Sequence, residues 1–276
     1  MPRRNQKKTK PSFPPDDVGG MVVTETVERF VGEDLSRESS DVIVEGLLTI
    51  AVNGVEMVRL TASPGAWDEL AIGFLFFHGV AVSPSDIVSI AIDGDGRGAT
   101  VDIAAAPEDI RRALGRGVGV AVTDDHRAII DDVHGRAETS PDITMTSDRI
   151  FSLMGFLEKH SAIHDRTHGS HIALLVDGEE TVAARSDISR RSAIDKVAGY
   201  ALKHNIATRG LVLLSSGRVA EDIVARARMM EISALVSRSA ATDRGVQSAR
   251  NAGLLLVGLA RNGSFLVYSG QGRVRG

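Results

Sequence analysis

Two short stretches carry the residue types best suited to holding a ligand. In the first, Asp187-Ile188-Ser189 leads into Arg190 and Arg191; in the second, Ser215-Ser216-Gly217 leads into Arg218. Each stands where an apolar run gives way to a helical period. Unpaired backbone N–H groups and the positive end of the helix dipole favour an anion there. Guanidinium forks match the oxygens of phosphate or carboxylate. The combination suits phosphate. The plainer alternative is that Ser189, Ser192 and Ser216 cap helices while the arginines form surface pairs. Asp195 and Lys196 either orient a ligand or pair with neighbours; being adjacent, they do not face each other on a helix. Glu221 either belongs to a helix cap or holds Arg218.

Other clusters carry less. His164, His168 and His171 lie close together, but no Glu or Asp completes a zinc-ligand spacing, which leaves them as loop or cleft histidines. The run Asp93-Gly94-Asp95-Gly96-Arg97-Gly98 lacks the Lys-Ser/Thr ending of a phosphate loop and the distal Glu of a calcium loop, so it reads as a turn. The sharpest global fact is a cysteine count of zero. Disulfides, thiolate metal ligands, cysteine nucleophiles and persulfides are therefore excluded on this chain.

The elements that must position these residues follow from the patterning. Residues 1–20 are basic and proline-rich with little to bury, and are expected to form a disordered tail. Strands are expected over 21–30 and 41–52, the latter turning at Asn53-Gly54 into a partner over 55–61. A helix follows, with Ser63 as its cap, Pro64 at its first position and Gly79 closing it. Its apolar stripe is Trp67, Leu70, Ala71, Phe74, Leu75 and His78. Residues 87–92 and 99–104 form a hairpin, 110–114 a short helix and 117–122 a strand. The polar stretch 123–146 separates two lobes, and Ser147 caps a helix running to residue 159. Beyond it the order is strand, strand, helix, strand, helix, strand, helix, strand, strand, with turn signals at Asp177-Gly178. Strands are expected at 211–215, 232–236, 254–259 and 265–268, and a helix at 243–251. Such alternation predicts a mostly parallel sheet with helices on its faces. The division is thus a tail over 1–20, a β-rich lobe over 21–122, a loop or linker over 123–146 and an α/β lobe over 147–276.

With 43% hydrophobic and 25% charged residues and a net charge of −4, the composition is that of an ordinary soluble protein with no general attraction to nucleic acid or an anionic membrane. No apolar run reaches membrane-span length and no signal-peptide core opens the chain, so cytoplasmic residence is expected.

Several of these segments, taken together, resemble the formate dehydrogenase accessory protein (FdhD/NarQ) family over residues 42–268. Glu45-Gly46-Leu47-Leu48-Thr49-Ile50-Ala51-Val52-Asn53-Gly54 matches the family's EGxLTIxVNG pattern. Thr167-His168-Gly169-Ser170-His171-Ile172-Ala173 corresponds to TGGxHxA, and Ser186-Asp187-Ile188-Ser189-Arg190-Arg191-Ser192-Ala193-Ile194-Asp195-Lys196 to EDVGRHNAxDK. Ser216-Gly217-Arg218 with Glu221 keeps SGR…E, and Gly253-Leu254-Leu255-Leu256-Val257-Gly258-Leu259-Ala260-Arg261, closing at Tyr268, keeps the C-terminal pattern.

The resemblance implies an α/β protein: a three-layer lobe similar to cytidine deaminases, without their zinc, and a smaller β-rich α+β lobe. It implies a cytoplasmic accessory protein for formate dehydrogenase maturation. Such proteins take sulfur from a cysteine desulfurase and pass it to molybdopterin guanine dinucleotide, the molybdenum or tungsten cofactor they bind as cargo. The apo-enzyme, the desulfurase and a second copy of the chain are the implied partners, with no intrinsic metal. Carried onto this sequence, the cofactor-binding positions are His171, Asp187, Arg190, Arg191 and Asp195, with Ser216, Gly217 and Arg218. Gly258, Leu259, Arg261 and Ser264 complete them. The departures are specific. The family's CGxCG motif belongs between residues 122 and 147, where this chain has Thr123-Asp124-Asp125-His126-Arg127, and Ser186, Arg191 and Ser192 replace Glu, His and Asn. Whether the chain is an enzyme is left open. A non-catalytic cofactor chaperone and a guanine-nucleotide-binding regulatory paralogue are the alternatives.

Overall fold

The computed structural model describes residues 18–80, 86–95, 98–105 and 142–276. The expected tail up to residue 17, the helix over 110–114, the strand over 117–122 and most of the 123–146 linker lie outside them. A short helix α1 (Val18–Met21) leads into an antiparallel ribbon of β1 (Val22–Val31) and β2 (Asp34–Ile43), paired from Val22↔Ile43 to Val31↔Asp34. The strand expected over 41–52 is in fact two: the chain breaks after Ile43, and β3 (Gly46–Val52) begins a different sheet. Most of β2 escaped the sequence reading because Ser36 to Asp41 offer no apolar alternation.

Asn53 and Gly54, at φ 50 and 77, make the tight turn from β3 to β4 (Val55–Ala62). Positive φ at both central residues is the geometry that matches strand twist. After the helix α2 (Trp67–Phe77), β5 (Ile87–Gly94) and β6 (Gly98–Ala105) complete a sheet ordered β4-β3-β6-β5, in which β3 and β6 run parallel. Leu48, Ile50, Val101 and Ile103 alternate onto one face and bury against Leu70, Ile72 and Leu75 of α2. The expected cap of α2 is corrected. The helix starts at Trp67 behind Ala66, and Ser63 makes a different set of bonds described below.

The second sheet begins after β7 (Met145–Thr146), α3 (Ser147–Lys159) and α4 (Ala162–Thr167). Thr146, one residue before the expected Ser147, caps α3 by accepting the Arg149 N–H. Then come β8 (His171–Asp177), β9 (Glu180–Asp187), α5 (Arg190–Lys203), β10 (Val212–Ser215), α6 (Glu221–Met229), β11 (Ala234–Ser237), α7 (Asp243–Asn251), β12 (Leu255–Arg261), β13 (Ser264–Ser269) and β14 (Val274–Arg275). The sheet order is β13-β12-β11-β10-β8-β9. Only β10, β11 and β12 are mutually parallel; hairpins at both edges make the sheet mixed rather than mostly parallel. Leu175, Leu213, Leu235 and Leu256 bury against α5 and α6 on one face. Leu174, Leu214, Val236 and Val257 bury against α3 on the other.

Helices α2 and α5 join the two sheets by touching backbone to backbone. A Cβ at Gly73 would lie 1.9 Å from the Asp195 carbonyl oxygen, and one at Gly199 would lie 1.8 Å from that of Glu69. Only glycine permits that approach. Beside the crossing, Arg185 Nε donates to Glu69 Oε2 at 2.7 Å with both side chains buried.

Candidate anion-binding site at the strand ends

Sheet direction decides which loops meet. Because β8 runs against both β9 and β10, its opening residues lie beside the last residues of those strands, in the pairs His171↔Asp187 and Ala173↔Ser215. The parallel strands β11 and β12 point the same way as β10, so their carboxyl ends open on the same side. Crevices outside such ends are where α/β sheets take ligands.

Hydrogen bonds tie these ends into one rim. Ser216 Oγ accepts the Ile172 N–H at 3.0 Å and lies 3.3 Å from His171 Nδ1, while Ser215 Oγ accepts the Gly217 N–H at 3.1 Å. From the next strand end, Ser237 Oγ donates to the Gly217 carbonyl at 2.7 Å and Ser239 Oγ to the Ser216 carbonyl at 2.9 Å. The Arg238 N–H reaches the Ser215 carbonyl, and the Leu259 N–H reaches that of Ser239, each at 3.0 Å. Ser216 is therefore a rim residue and not a helix cap; α6 begins later, behind Ala220.

Charge at this rim is unequal. Three carboxylates sit behind it, and each is taken. Asp187 Oδ2 pairs with Lys196 Nζ at 2.9 Å, Asp195 Oδ1 with Arg226 Nε at 2.7 Å, and Asp222 Oδ2 with Arg191 Nε at 2.6 Å. The Asp187–Lys196 pair also grips Ser63, whose N–H donates to Asp187, whose carbonyl accepts from Lys196, and whose Oγ accepts the Ile188 N–H. Burial raises the Asp195 carboxyl from its ordinary range, with the Arg226 guanidinium opposing that shift. Among the described residues, Arg190 and Arg218 form no ion pair. The Arg190 stem lies over Gly217, where a Cβ would come within 2.7 Å of Arg190 Cβ, and Arg190 Nε is buried without a hydrogen-bond partner. Burial, followed by the charge of Arg191, holds the Arg190 guanidinium below its ordinary range. Burial, followed by Arg190, His164 and Arg218, likewise lowers His171. A group of cations short of anions, beside the amino end of α5, is equipped to accept phosphate.

The structure thus brings His171, Arg190, Ser216, Gly217 and Arg218 together. It places three other expected site residues differently. Asp187 and Asp195 are buried in ion pairs behind the rim, and Arg191 is held by Asp222. Ser189 does cap α5, accepting the Ser192 N–H. Gly258 and Leu259 reach the rim. A Cβ at Gly258 would meet the Ser239 carbonyl oxygen at 2.8 Å, and Leu259 holds φ 51. Arg261 and Ser264 pair across the tip of the β12–β13 hairpin, exposed and farther along the strands. Glu221 reaches Arg244, at 4.0 Å. His164 Nδ1 sits 2.8 Å from the Ser170 carbonyl oxygen and its ring meets His168 edge-on. Among the described residues no group of three His, Asp or Glu side chains is placed to hold a metal. Sequence reading missed Ser237, Arg238 and Ser239; their signal was position, a polar trio after a buried strand, as at Ser215-Ser216-Gly217. It also missed Arg226 and Asp222, which only tertiary packing brings to Asp195.

Fold and rim together define a mixed α/β protein with a candidate anion site at its strand ends. The profile of the FdhD/NarQ family matches residues 43–275, and the chain belongs to that family. It is 31% identical over 252 residues to the sulfur carrier protein FdhD of Bacillus licheniformis, covering 90% of this chain and 95% of the relative. It is 33% identical over 239 residues to that of Geobacillus kaustophilus, covering 86% and 91%. A crystal structure assigned as a formate dehydrogenase accessory protein, from Desulfotalea psychrophila, shares the fold with a TM-score of 0.75 at 19% identity, over 92% of this chain and 100% of the other. No helix among the described residues is long and apolar enough to cross a membrane.

Proposed function

We propose that this chain is a cytoplasmic accessory protein for formate dehydrogenase that binds molybdopterin guanine dinucleotide as cargo, with its phosphates at the strand-end rim. The observation that carries the reading is that Arg190 and Arg218 form no ion pair among the described residues at the start of α5, where Arg190 Nε is buried without a partner. Ser216 and Gly217 shape the floor, and His171 borders it. The reading includes a cytidine-deaminase-like C-terminal lobe, supported by the position of the rim at the helix starts after β9 and β10.

The relatives are named sulfur carriers, and this polypeptide has no cysteine. Oxygen and imidazole groups cannot hold a persulfide sulfur. The chain therefore binds the cofactor and presents it to the apo-enzyme, while any sulfur from a desulfurase travels on a thiol outside this chain. The test is calorimetric titration with GDP and with the pterin dinucleotide. Arg218→Ala should weaken binding by about 1.5–3 kcal/mol, the value of a charge-assisted bond. If neither ligand binds at millimolar concentration, the reading fails. A desulfurase supplied with labelled cysteine should leave no stable label on the chain; stable label would overturn the thiol argument.

A further inference from the structure

Ser63, expected to cap α2, does not cap it. It follows directly on β4, and the chain then passes through two residues at positive φ, Gly65 at 86 and Ala66 at 50, before α2 starts without a side-chain cap. A non-glycine residue in that conformation persists where its surroundings fix it. The surroundings here belong to the other sheet. Ser63 is fully buried, and its N–H, carbonyl and hydroxyl are all engaged on the turn that leads from β9 into α5. The N–H donates to Asp187 Oδ2 at 3.1 Å, the carbonyl accepts from Lys196 Nζ at 3.0 Å, and Oγ accepts the Ile188 N–H at 3.1 Å.

The same turn carries Arg190. Asp187 Oδ1 accepts the Ser189 N–H at 2.9 Å, and Ser189 caps α5 directly ahead of the arginine. Lys196 closes the clasp from within α5. Its Nζ lies 2.9 Å from Asp187 Oδ2 and 5.9 Å from the ring centre of Trp67, the first residue of α2. Arg190 Nε has no hydrogen-bond partner, so the place of that guanidinium is set mainly by the backbone it hangs from and by Gly217 beneath its stem. We infer, on the anion reading proposed above, that Ser63 is a positioning residue: it fixes the turn from Ile188 to Arg190 so that the arginine meets the anion. The sheet of β3 to β6 thereby becomes party to binding at the strand ends of the other sheet. Such coupling is reciprocal, so an anion on Arg190 in turn steadies Ser63.

Amide hydrogen exchange and anion titration on the full chain test this. Ser63→Ala removes a single oxygen. In the ligand-free variant the Ile188 N–H should exchange at least about tenfold faster than in the wild type, measured against amides in the interior of α5. GDP and inorganic pyrophosphate should each bind that variant about three- to tenfold more weakly, the value of one hydrogen bond. In an Arg190→Met background the loss should shrink below about twofold, because the hydroxyl acts through that arginine. In the wild-type chain, where no variant has to fold, pyrophosphate should slow exchange of the Ser63 N–H. A residue that only holds the fold together would lower affinity equally in both backgrounds or not at all. Equal losses, an unchanged Ile188 amide, or a Ser63 amide indifferent to saturating pyrophosphate would each overturn the inference. A wild-type chain that binds neither probe overturns the anion reading and the inference with it; binding that ignores Ser63→Ala overturns the inference alone.

Discussion

Replacing Arg190 with methionine should strengthen the fold and weaken ligand binding. Arg190 Nε is buried with no partner, and the positive charge of Arg191, Arg218 and Arg226 around it is opposed only by Asp222, which is already paired with Arg191. A buried donor left unsatisfied costs about 1–3 kcal/mol, more when charged. Methionine keeps an unbranched stem over Gly217, where Arg190 Cβ and Cδ now lie, and removes the stranded charge. We therefore expect Arg190→Met to gain about 1–2 kcal/mol in stability, seen as a melting temperature several degrees higher. The same change removes a guanidinium poised for phosphate. Losing one charge-assisted bond, about 1.5–3 kcal/mol, weakens binding about 10- to 150-fold. Thermal melts without ligand and calorimetry with GDP read the two effects separately. A lower melting temperature with unchanged affinity would refute the reasoning and make Arg190 a structural residue.

His171 should take up a proton when an anion binds. Burial, Arg190, His164 and Arg218 lower its pKa from the ordinary 6.5, and an anion that cancels the arginine field raises it again. Affinity should therefore rise as pH falls below 6.5. Calorimetry in buffers of different ionisation enthalpy should show the uptake, and His171→Gln should abolish it. Without ligand the sign reverses: a lowered folded pKa contributes stability above 6.5 that is lost as pH falls through the folded value. Lys196→Met should cost about 3–5 kcal/mol in urea denaturation, because it leaves Asp187 buried without its cation; adding Asp187→Asn should recover much of the loss. Gly199→Ala drives a Cβ toward the Glu69 carbonyl, separates α2 from α5 and should cost at least about 1–3 kcal/mol. Gly155→Ala, which meets open space on α3, should instead stabilise by about 1 kcal/mol.

How much of this was legible depended on whether the partner of each residue was near in sequence. The Asn53-Gly54 turn, the helix Asp243–Asn251 and the element order from β8 onward were readable, because turn chemistry and apolar period are local. The rim was half readable. Strand ends followed by hydroxyls and arginines pointed to Arg190, Arg191 and Arg218, and the family resemblance to His171, but nothing local says that Asp195 meets Arg226 or that Ser63 meets Asp187. Adjacent strands in sequence also hid the sheet's mixed character, since a hairpin and a crossover both read as strand after strand. The polar β2 ribbon was invisible for a third reason: its stabilising partners are backbone groups, which leave no mark on side-chain pattern.

The buried ion pairs and the open rim are one arrangement. Five cations gather around the start of α5 and its neighbours: Arg190, Arg191, Lys196, Arg218 and Arg226. Left unmatched, they would repel one another strongly at low dielectric. Asp187, Asp195 and Asp222 neutralise Lys196, Arg226 and Arg191 from behind, and the bonds to Ser63 and Ser189 lock Asp187 in place. What remains without an ion pair among the described residues is Arg190 and Arg218, a twofold positive charge beside the strand ends. That is the charge a pyrophosphate bridge would cancel. An arrangement of this kind rewards binding without asking the protein to supply a nucleophile, and this chain, lacking any thiol, has none to offer to sulfur. On the reading proposed above, the holding of the cofactor and the carrying of sulfur would be separable in this member of the family, with the strand ends serving the first.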